Sequence, residues 1–421
     1  MVERRGRDLS PRLGACPHRS NDQESRGTVT NPTRPTRVLV LDHVGLTLDA
    51  TGRPDPSQVR DYVDGLDGCR FVEGAIPGAE DAASEAAAHT IHFHYRPDIS
   101  TPAELREATK GGVYDAVIAA ATLVPEDVSF PAGGVRIGAG TGNMASASWG
   151  GAQGRGGTAP LMNTPGVNCV ATAQMAWKAL MHVAPDLPLA SLSERVMAGR
   201  FDTGRDLASV PTRKLEGRRI AVIGYGNIGR EMVRLALAFR MDVRVFARSH
   251  HAPRIRGDGA SHAATIQEAA RDADMLSVHL GLGPVDPARG IPANTGLIDA
   301  GVLEALAPGA ILVNFDRGEL VDCAALDAAL ASGQVGHAAI DADVFVDPET
   351  GAVSGPMAPY LDLVPRHRAR LCLLPHAAAD TDHPTRVAGA RMAVDQIVRA
   401  IRTGEVTNPV GDLPDGYTAT R

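Results

Sequence analysis

Short apolar blocks alternate along this chain with stretches whose apolar residues recur at helical spacing. The first block, Arg37-Val38-Leu39-Val40-Leu41-Asp42, is apolar without a break, as strands covered on both faces are. Further blocks at Ile91 to Tyr95, Ala116 to Ala119 and Gly134 to Gly138 predict strands. Helical patterns fall near Pro56 to Leu66, Ala79 to Ala88 and Pro102 to Ala108. Gly138 to Gly157 is rich in Gly, Ala and Ser and reads mainly as loop. A long helix is expected from Cys169 to about Val183, with Trp177, Met175 and Met181 packing at a domain or subunit interface. Strands near 219, 243, 274, 310 and 337 then alternate with helices, and a last helix covers about 383 to 402. This rhythm predicts an α/β fold built on doubly wound parallel sheets.

One turn in that rhythm carries chemistry. The strand Arg219-Ile220-Ala221-Val222-Ile223 runs into Gly224-Tyr225-Gly226-Asn227-Ile228-Gly229, a helix follows to Phe239, and a second strand runs from Val243 to Phe246. Strand, glycine turn, helix, strand is the context of a Rossmann dinucleotide site. Gly224 permits the tight turn, Gly226 lets backbone approach a pyrophosphate, and Gly229 lets helix and strand pack closely. The helix N-terminus, with Asn227 and Ile228, offers free N–H groups to phosphate.

Composition narrows the partners. A net charge of -7 and a pI near 6.1 give no electrostatic case for nucleic acid or an anionic membrane. No apolar run approaches the ~18 residues needed to span a bilayer. Cys16, Cys69, Cys169, Cys323 and Cys372 are scattered, which fits a reducing cytoplasm better than a zinc site or disulfide framework. His89, His92 and His94 are the one metal-like cluster, and a polar strand edge explains them better, since no matching Cys or acid is apparent. Residues 1–35 hold seven Arg and four acids with few large apolar side chains. They read as a disordered tail, an upstream start rather than a transit peptide.

Three later segments each put a polar residue at the C-terminal end of an apolar strand, the edge where doubly wound sheets bind ligands. They are Ile311 to Asp322, Ala339 to Pro348, and Leu373 to Ala379. An Arg, an acid and a His could thus converge. Arg317 suits forked binding of a carboxylate, and His376 suits proton transfer.

Four ordered stretches together resemble the D-isomer-specific 2-hydroxyacid dehydrogenases, a family that includes formate, phosphoglycerate and D-lactate dehydrogenases and glyoxylate/hydroxypyruvate reductases. They are Asn163-Thr164-Pro165-Gly166-Val167-Asn168, Leu215 to Gly229, Asp316-Arg317-Gly318-Glu319-Leu320-Val321-Asp322, and Pro375-His376-Ala377-Ala378-Ala379. The resemblance runs from about residue 110 to 410. It implies that Arg317 binds substrate and that His376 is the acid/base. It further implies that Asp341, 24 residues after Arg317, contacts the nicotinamide carboxamide, and that Phe315 and Asp316 place backbone against the nicotinamide. Gly140 and Thr141, in Ala139-Gly140-Thr141-Gly142, resemble the family's substrate loop. The implied architecture is a nucleotide domain of about 165–378 inserted into a flavodoxin-like substrate domain of about 36–164 plus 379–415. The implied partners are a small 2-oxoacid or 2-hydroxy acid and a second copy of the chain, as a homodimer.

The chain also departs from the family. The family's acid beside the His lies about five residues after the carboxamide acid, and that spacing lands on Val346. Asp347, before Pro348, is the replacement expected here, with Glu349 and Asp343 as rivals. Asp316 stands where the family prefers a small residue, and either pairs with Arg317 or points away. The second strand of the nucleotide site does not end in the acid that favours NAD. It ends in Phe246-Ala247-Arg248-Ser249-His250-His251, with Asp242 at its start. Arg248 and Ser249 suit a 2′-phosphate and favour NADP over NAD, although an Arg here can also stack on adenine in an NAD enzyme. The reading is a cytoplasmic NAD(P)-dependent 2-oxoacid reductase. Its rivals are a nucleotide-sensing binding protein on the same scaffold and a methyltransferase, which would leave the Arg317 and His376 segments without a role.

Overall fold

The computed structural model describes residues 34–75, 90–184, 189–210, 212–347, 350–376 and 382–420. The helix expected at Ala79 to Ala88, His89 and Glu349 lie outside them.

Two parallel sheets organise the chain. The first has six strands, β1 (Thr36–Val40), β2 (Cys69–Glu73), β3 (Ile91–Tyr95), β4 (Ala116–Ala119), β5 (Gly133–Arg136) and β6 (Leu161–Asn163), in the order β2-β3-β1-β4-β5-β6. β3 and β4 are buried along their whole length, as the unbroken apolar block of β4 demands, and β3 buries two histidines among its apolar residues. One face packs Val38, Val40, Ile91 and Phe93 against Val387, Ala390, Ala393, Val394 and Ile397 of the helix His383–Thr403. A Cβ on Gly389 would stand 2.7 Å from Ile137 Cγ2, so this helix approaches β5 as closely as it does only because residue 389 is glycine. The opposite face is filled by Leu39, Leu105, Tyr114, Phe130 and Trp149.

The second sheet has seven strands: β7 (Arg219–Ile223), β8 (Asp242–Phe246), β9 (Ser261–Ala263), β10 (Met275–Val278), β11 (Ala310–Asn314), β12 (Val335–Ala342) and β13 (Leu371–Pro375). Their order is β13-β12-β11-β10-β7-β8-β9. The chain winds outward from β7 in both directions, so β7 and β10 flank the switch point at which Rossmann sheets bind ligands. The helix Cys169–Val183 covers one face with Ala173, Ala176, Trp177 and Leu180. Trp177 belongs to this core and stacks on Phe239 at 5.1 Å, while Met181 is exposed. Short strands that the apolar pattern did not mark, β2, β6 and β9, are carried by their neighbours in the sheet. Each has only a few residues and a polar or charged member.

The histidines of β3 face inward. His94 is 2% exposed, and neither ring nitrogen has a hydrogen-bond partner among the described residues. Burial, helped by Arg37, His92 and Arg96, pushes its pKa down to about 4. The unfolded chain holds that proton more tightly, at about 6.5. The stability contribution is therefore intact above about pH 6.5 and is lost as the pH falls toward 4. Buried His279, pushed down to about 3, acts with the same sign. His94→Phe should reduce the loss of unfolding free energy between pH 7 and 4.5 by roughly 2–3 kcal/mol, measured by denaturant titration. An unchanged pH slope would contradict this.

Candidate active site

The glycine turn after β7 shows three glycines held for three reasons. Gly224 has φ +106, and a Cβ there would stand 2.1 Å from the carbonyl oxygen of His279, at the end of β10. A Cβ on Gly229 would stand 2.2 Å from the Gly224 carbonyl oxygen. Gly226 differs, because nothing lies within 4 Å of its Cβ position. It is the N-cap of the twelve-residue helix Asn227–Ala238, with no side chain capping the free N–H groups. Open space in front of uncapped helical N–H groups fits a pyrophosphate. The Tyr225 hydroxyl donates to Asp258 and fastens the turn to the helix Ala252–Gly257.

The neighbouring strand end is set by Gly224 N–H, which donates to the Phe246 carbonyl at 2.9 Å. Ala247, Arg248 and Ser249 follow directly, and Arg248 and Ser249 are exposed. Asp242 lies at the far end of β8 and is engaged by Arg219 Nε at 2.7 Å.

Three strand ends and one loop assemble the catalytic set. Asn314, fully buried at the end of β11, donates from Nδ2 to the Arg317 carbonyl at 2.8 Å. The Tyr360 hydroxyl donates to the Gly318 carbonyl at 2.5 Å, with the Val321 carbonyl 3.2 Å from the same oxygen. A Cβ on Gly318 would meet Ala342 Cβ at 2.7 Å, so glycine lets this turn lie against the end of β12. Neither Asn314 nor Tyr360 was marked by sequence reasoning. The Asn sits inside an apolar block, and Tyr360 comes from a segment that resembles nothing in the motifs. Phe315 is buried in the core, and Asp316 is mostly buried beside Arg317. Burial pushes the Asp316 pKa up to about 6, against the pull of Arg317 and His376.

His376 follows β13, and its Nδ1 lies 2.9 Å from Oδ1 of Asp341 on β12. Asp341 is 2% exposed and the imidazole about one-third exposed. The hydrogen bond to Asp341 is the main cause of a raised imidazole pKa, with burial opposing it. The sequence reading had given this partnership to Asp347. Instead, Asp347 is exposed in a hairpin (Phe345–Val346 with Val353–Ser354), where its carboxylate accepts from Thr350 N and Oγ1 at 2.7 and 2.8 Å. The physical reason is the strand: Asp341 is still in register with β13, opposite Leu374, whereas the chain after Ala342 turns out into the hairpin. Asp343 goes to Arg317, with Oδ2 3.7 Å from Nη1.

The loop from the first sheet closes the set. A Cβ on Gly140 would stand 3.3 Å from Arg317 Nη2. Thr141 spends its hydroxyl on the Ala152 carbonyl at 2.7 Å, so what it can offer a ligand is backbone. Thr164 and Asn163 hold the loop from below, through Gly138 N and the Ala139 carbonyl, each at 2.6 Å. A cavity of about 390 Å³ lies behind the glycine turn, lined by Cys169, Asn227, Arg230 and Asp258. None of the catalytic set lines it.

Known proteins resemble this chain in sequence and in fold. Residues 187–378 match the family model described as D-isomer specific 2-hydroxyacid dehydrogenase, NAD binding domain, so the cofactor class is a nicotinamide dinucleotide. The chain is 31% identical over 245 residues to the glyoxylate reductase of Aeropyrum pernix, covering 58% of this chain and 67% of that one. It is 32% identical over 247 residues to the glyoxylate/hydroxypyruvate reductase B of Pectobacterium carotovorum, covering 58% and 69%. To the D-3-phosphoglycerate dehydrogenase of Rattus norvegicus it is 28% identical over 250 residues, spanning 59% of this chain but only 42% of that relative. Among solved structures, a putative D-isomer specific 2-hydroxyacid dehydrogenase from Polaromonas shares the fold with TM-score 0.59 at 18% identity, covering 91% of this chain and 99% of that one. D-2-hydroxyisocaproate dehydrogenase shares it with TM-score 0.57 at 16% identity, covering 90% and 100%. With its Rossmann sheet and these relatives, the chain belongs to the D-isomer-specific 2-hydroxyacid dehydrogenase family.

Proposed function

We propose that this protein is a 2-oxoacid reductase that works on small acids of the glyoxylate or hydroxypyruvate kind and favours NADP. The observation that carries the reading is the convergence of Arg317, His376 with its buried Asp341, and Gly140 from the other sheet. A dinucleotide sensor without turnover would need neither the Arg nor the His.

Arg317 would bind the substrate carboxylate and polarise the adjacent carbonyl, with Gly140 and Thr141 offering backbone N–H groups. The Nδ1–H of His376 is held by Asp341, which leaves Nε2–H to donate its proton to the carbonyl oxygen. The nicotinamide, when bound, supplies the hydride. The helix N-terminus at Asn227 and Ile228 would hold the pyrophosphate, and Phe315 and Asp316 would border the nicotinamide. Arg248 and Ser249 would take the 2′-phosphate, since Asp242 is tied to Arg219 at the wrong end of its strand.

The proposed architecture is a nucleotide domain of about 165–378 set into a substrate domain of about 36–164 plus 379–415. The C-terminal helix in the core of the first sheet supports it. A cytoplasmic homodimer is part of the same proposal. The helix Leu189–Met197 buries none of its residues, and Leu189, Val196, Met197 and Leu207 stand exposed, as an arm covered by a second copy would. The free Cys69, Cys169, Cys323 and Cys372 fit a reducing compartment.

Nicotinamide absorbance tests the reading directly. Purified protein should oxidise NADPH with glyoxylate or hydroxypyruvate, and His376→Ala should lower the rate by about 10³-fold. Arg248→Ala should raise the KM for NADPH about tenfold and leave that for NADH within about twofold. Preference for NADH would remove the cofactor proposal alone. Cofactor binding with no turnover of any 2-oxoacid would favour the sensor.

A further inference from the structure

Arg317 turns its three nitrogens to three different neighbours. Nε is 3.9 Å from Asp316 Oδ1, Nη1 is 3.7 Å from Asp343 Oδ2, and Nη2 faces Gly140 on the substrate loop. Both carboxylate separations exceed hydrogen-bond length. The guanidinium therefore keeps its N–H donors for a ligand while its charge is already shared. Asp341 brings a third carboxylate, committed to His376. Arg317 and a protonated His376 thus stand against three acids. A further guanidinium, that of Arg136, fills the space beside Gly138, with Nη1 1.7 Å from where a Cβ would be, and is itself engaged by a partner.

We propose that Asp316 and Asp343 are specificity-determining residues that restrict the site to 2-oxoacids with a single anionic group and reject those bearing a second, such as a phosphate or another carboxylate. The inference rests on the reductase reading and narrows its substrate class. One carboxylate can use the free donors of Arg317. A second anionic group on a short carbon chain would be held near the carboxylates that flank Arg317, and poorly screened like charges at close range repel strongly. Asp316 is 17% exposed, so little water screens it, while Asp343, at Nη1, is partly exposed. Nε and Nη1 thus each face a carboxylate, and Nη2 faces the uncharged backbone at Gly140, which leaves room for one anionic group. Hydroxyl and small alkyl substituents meet no such penalty, and a hydroxyl can donate to either carboxylate.

Hydroxypyruvate and 3-phosphohydroxypyruvate differ only in the phosphate, which makes them the test pair. With NADPH, wild type should show kcat/KM for hydroxypyruvate at least 100-fold above that for the phosphorylated acid. Asp316→Asn and Asp343→Asn, both isosteric, should each narrow the ratio about tenfold by raising activity on the phosphorylated acid. Calorimetric binding of the two acids to wild type loaded with NADP⁺ reads the same discrimination without turnover. A binding ratio in favour of hydroxypyruvate with no turnover would overturn the reductase reading and leave this inference standing. Equal or better binding of the phosphorylated acid by wild type would overturn the inference whether or not a variant folds. So would a ratio that neither substitution moves.

Discussion

Asp341→Asn should lower kcat/KM for 2-oxoacid reduction by about 10²- to 10³-fold and move the upper pH limit of the reaction toward acid. The carboxylate is almost fully buried, and its Oδ1 meets the Nδ1 of His376 at 2.9 Å. It holds the ring so that Nε2 faces the substrate and makes the charged form easier to keep. A histidine with a raised pKa is fully protonated below its unperturbed value and loses its proton as the pH rises through the folded value. Reduction consumes that proton, so the rate falls over the same window. An amide at position 341 cannot stabilise imidazolium in this way, and the limit should slide back toward about 6.5. The resemblance alone would instead put Asp341 on the nicotinamide carboxamide. In that case the same variant would weaken NADPH binding and leave the pH limit where it was. A pH profile of kcat/KM together with a cofactor dissociation constant separates the two roles. Asp347→Asn, in the exposed hairpin, should change kcat/KM by less than about threefold. A large loss there would return the partnership to Asp347.

Much of the scaffold was legible in the sequence because buried parallel strands carry apolar runs. Ala116 to Ala119 is such a run throughout and Ile220 to Ile223 follows one polar residue, whereas Ile91 to Tyr95 alternates apolar residues with two histidines that the fold also buries. Glycine 224 and its partners were legible for the same kind of reason, since each has a backbone contact or an open space that forbids or dispenses with a side chain. Arg317 and His376 were legible because each lies one to three residues beyond an apolar strand end inside a stretch that resembles the family, and the structure brings both to one place. The acid was misplaced because spacing counts residues along the chain, whereas pairing with His376 depends on register between β12 and β13. Three acids, Asp341, Asp343 and Asp347, lie within a few residues of one another there, and only the strand boundary at Ala342 distinguishes them. Asn314 and Tyr360 left no trace at all. Their work is to hold carbonyl groups around Arg317, and any buried Asn or Tyr looks alike in a linear chain.

Arg317→Gln should reduce kcat/KM by about 10²- to 10⁴-fold, the second large effect. Two charge-assisted hydrogen bonds to the substrate carboxylate are each worth roughly 1.5–3 kcal/mol, and their sum spans that range. Here the loss has a second source. Asp316 and Asp343 would remain without the cation between them, and a substrate carboxylate would meet their field alone. Most of the damage should appear in KM, because the interaction is made with the bound acid before it reacts, and the smaller part in kcat, because polarisation of the carbonyl is lost. Arg317→Lys restores the charge but not the fork, and its shorter reach leaves one donor for the carboxylate. It should recover about tenfold over the Gln variant. In Arg317→Gln the largest pull opposing burial is gone, so the Asp316 pKa should rise further above about 6 and the group should be more often neutral near pH 7, which should hold the melting temperature near that of wild type. Steady-state kinetics with hydroxypyruvate, read beside a thermal melt, checks both halves. A kcat/KM within tenfold of wild type in a folded Arg317→Gln protein would mean that the substrate carboxylate is bound somewhere other than between Gly140 and the end of β11.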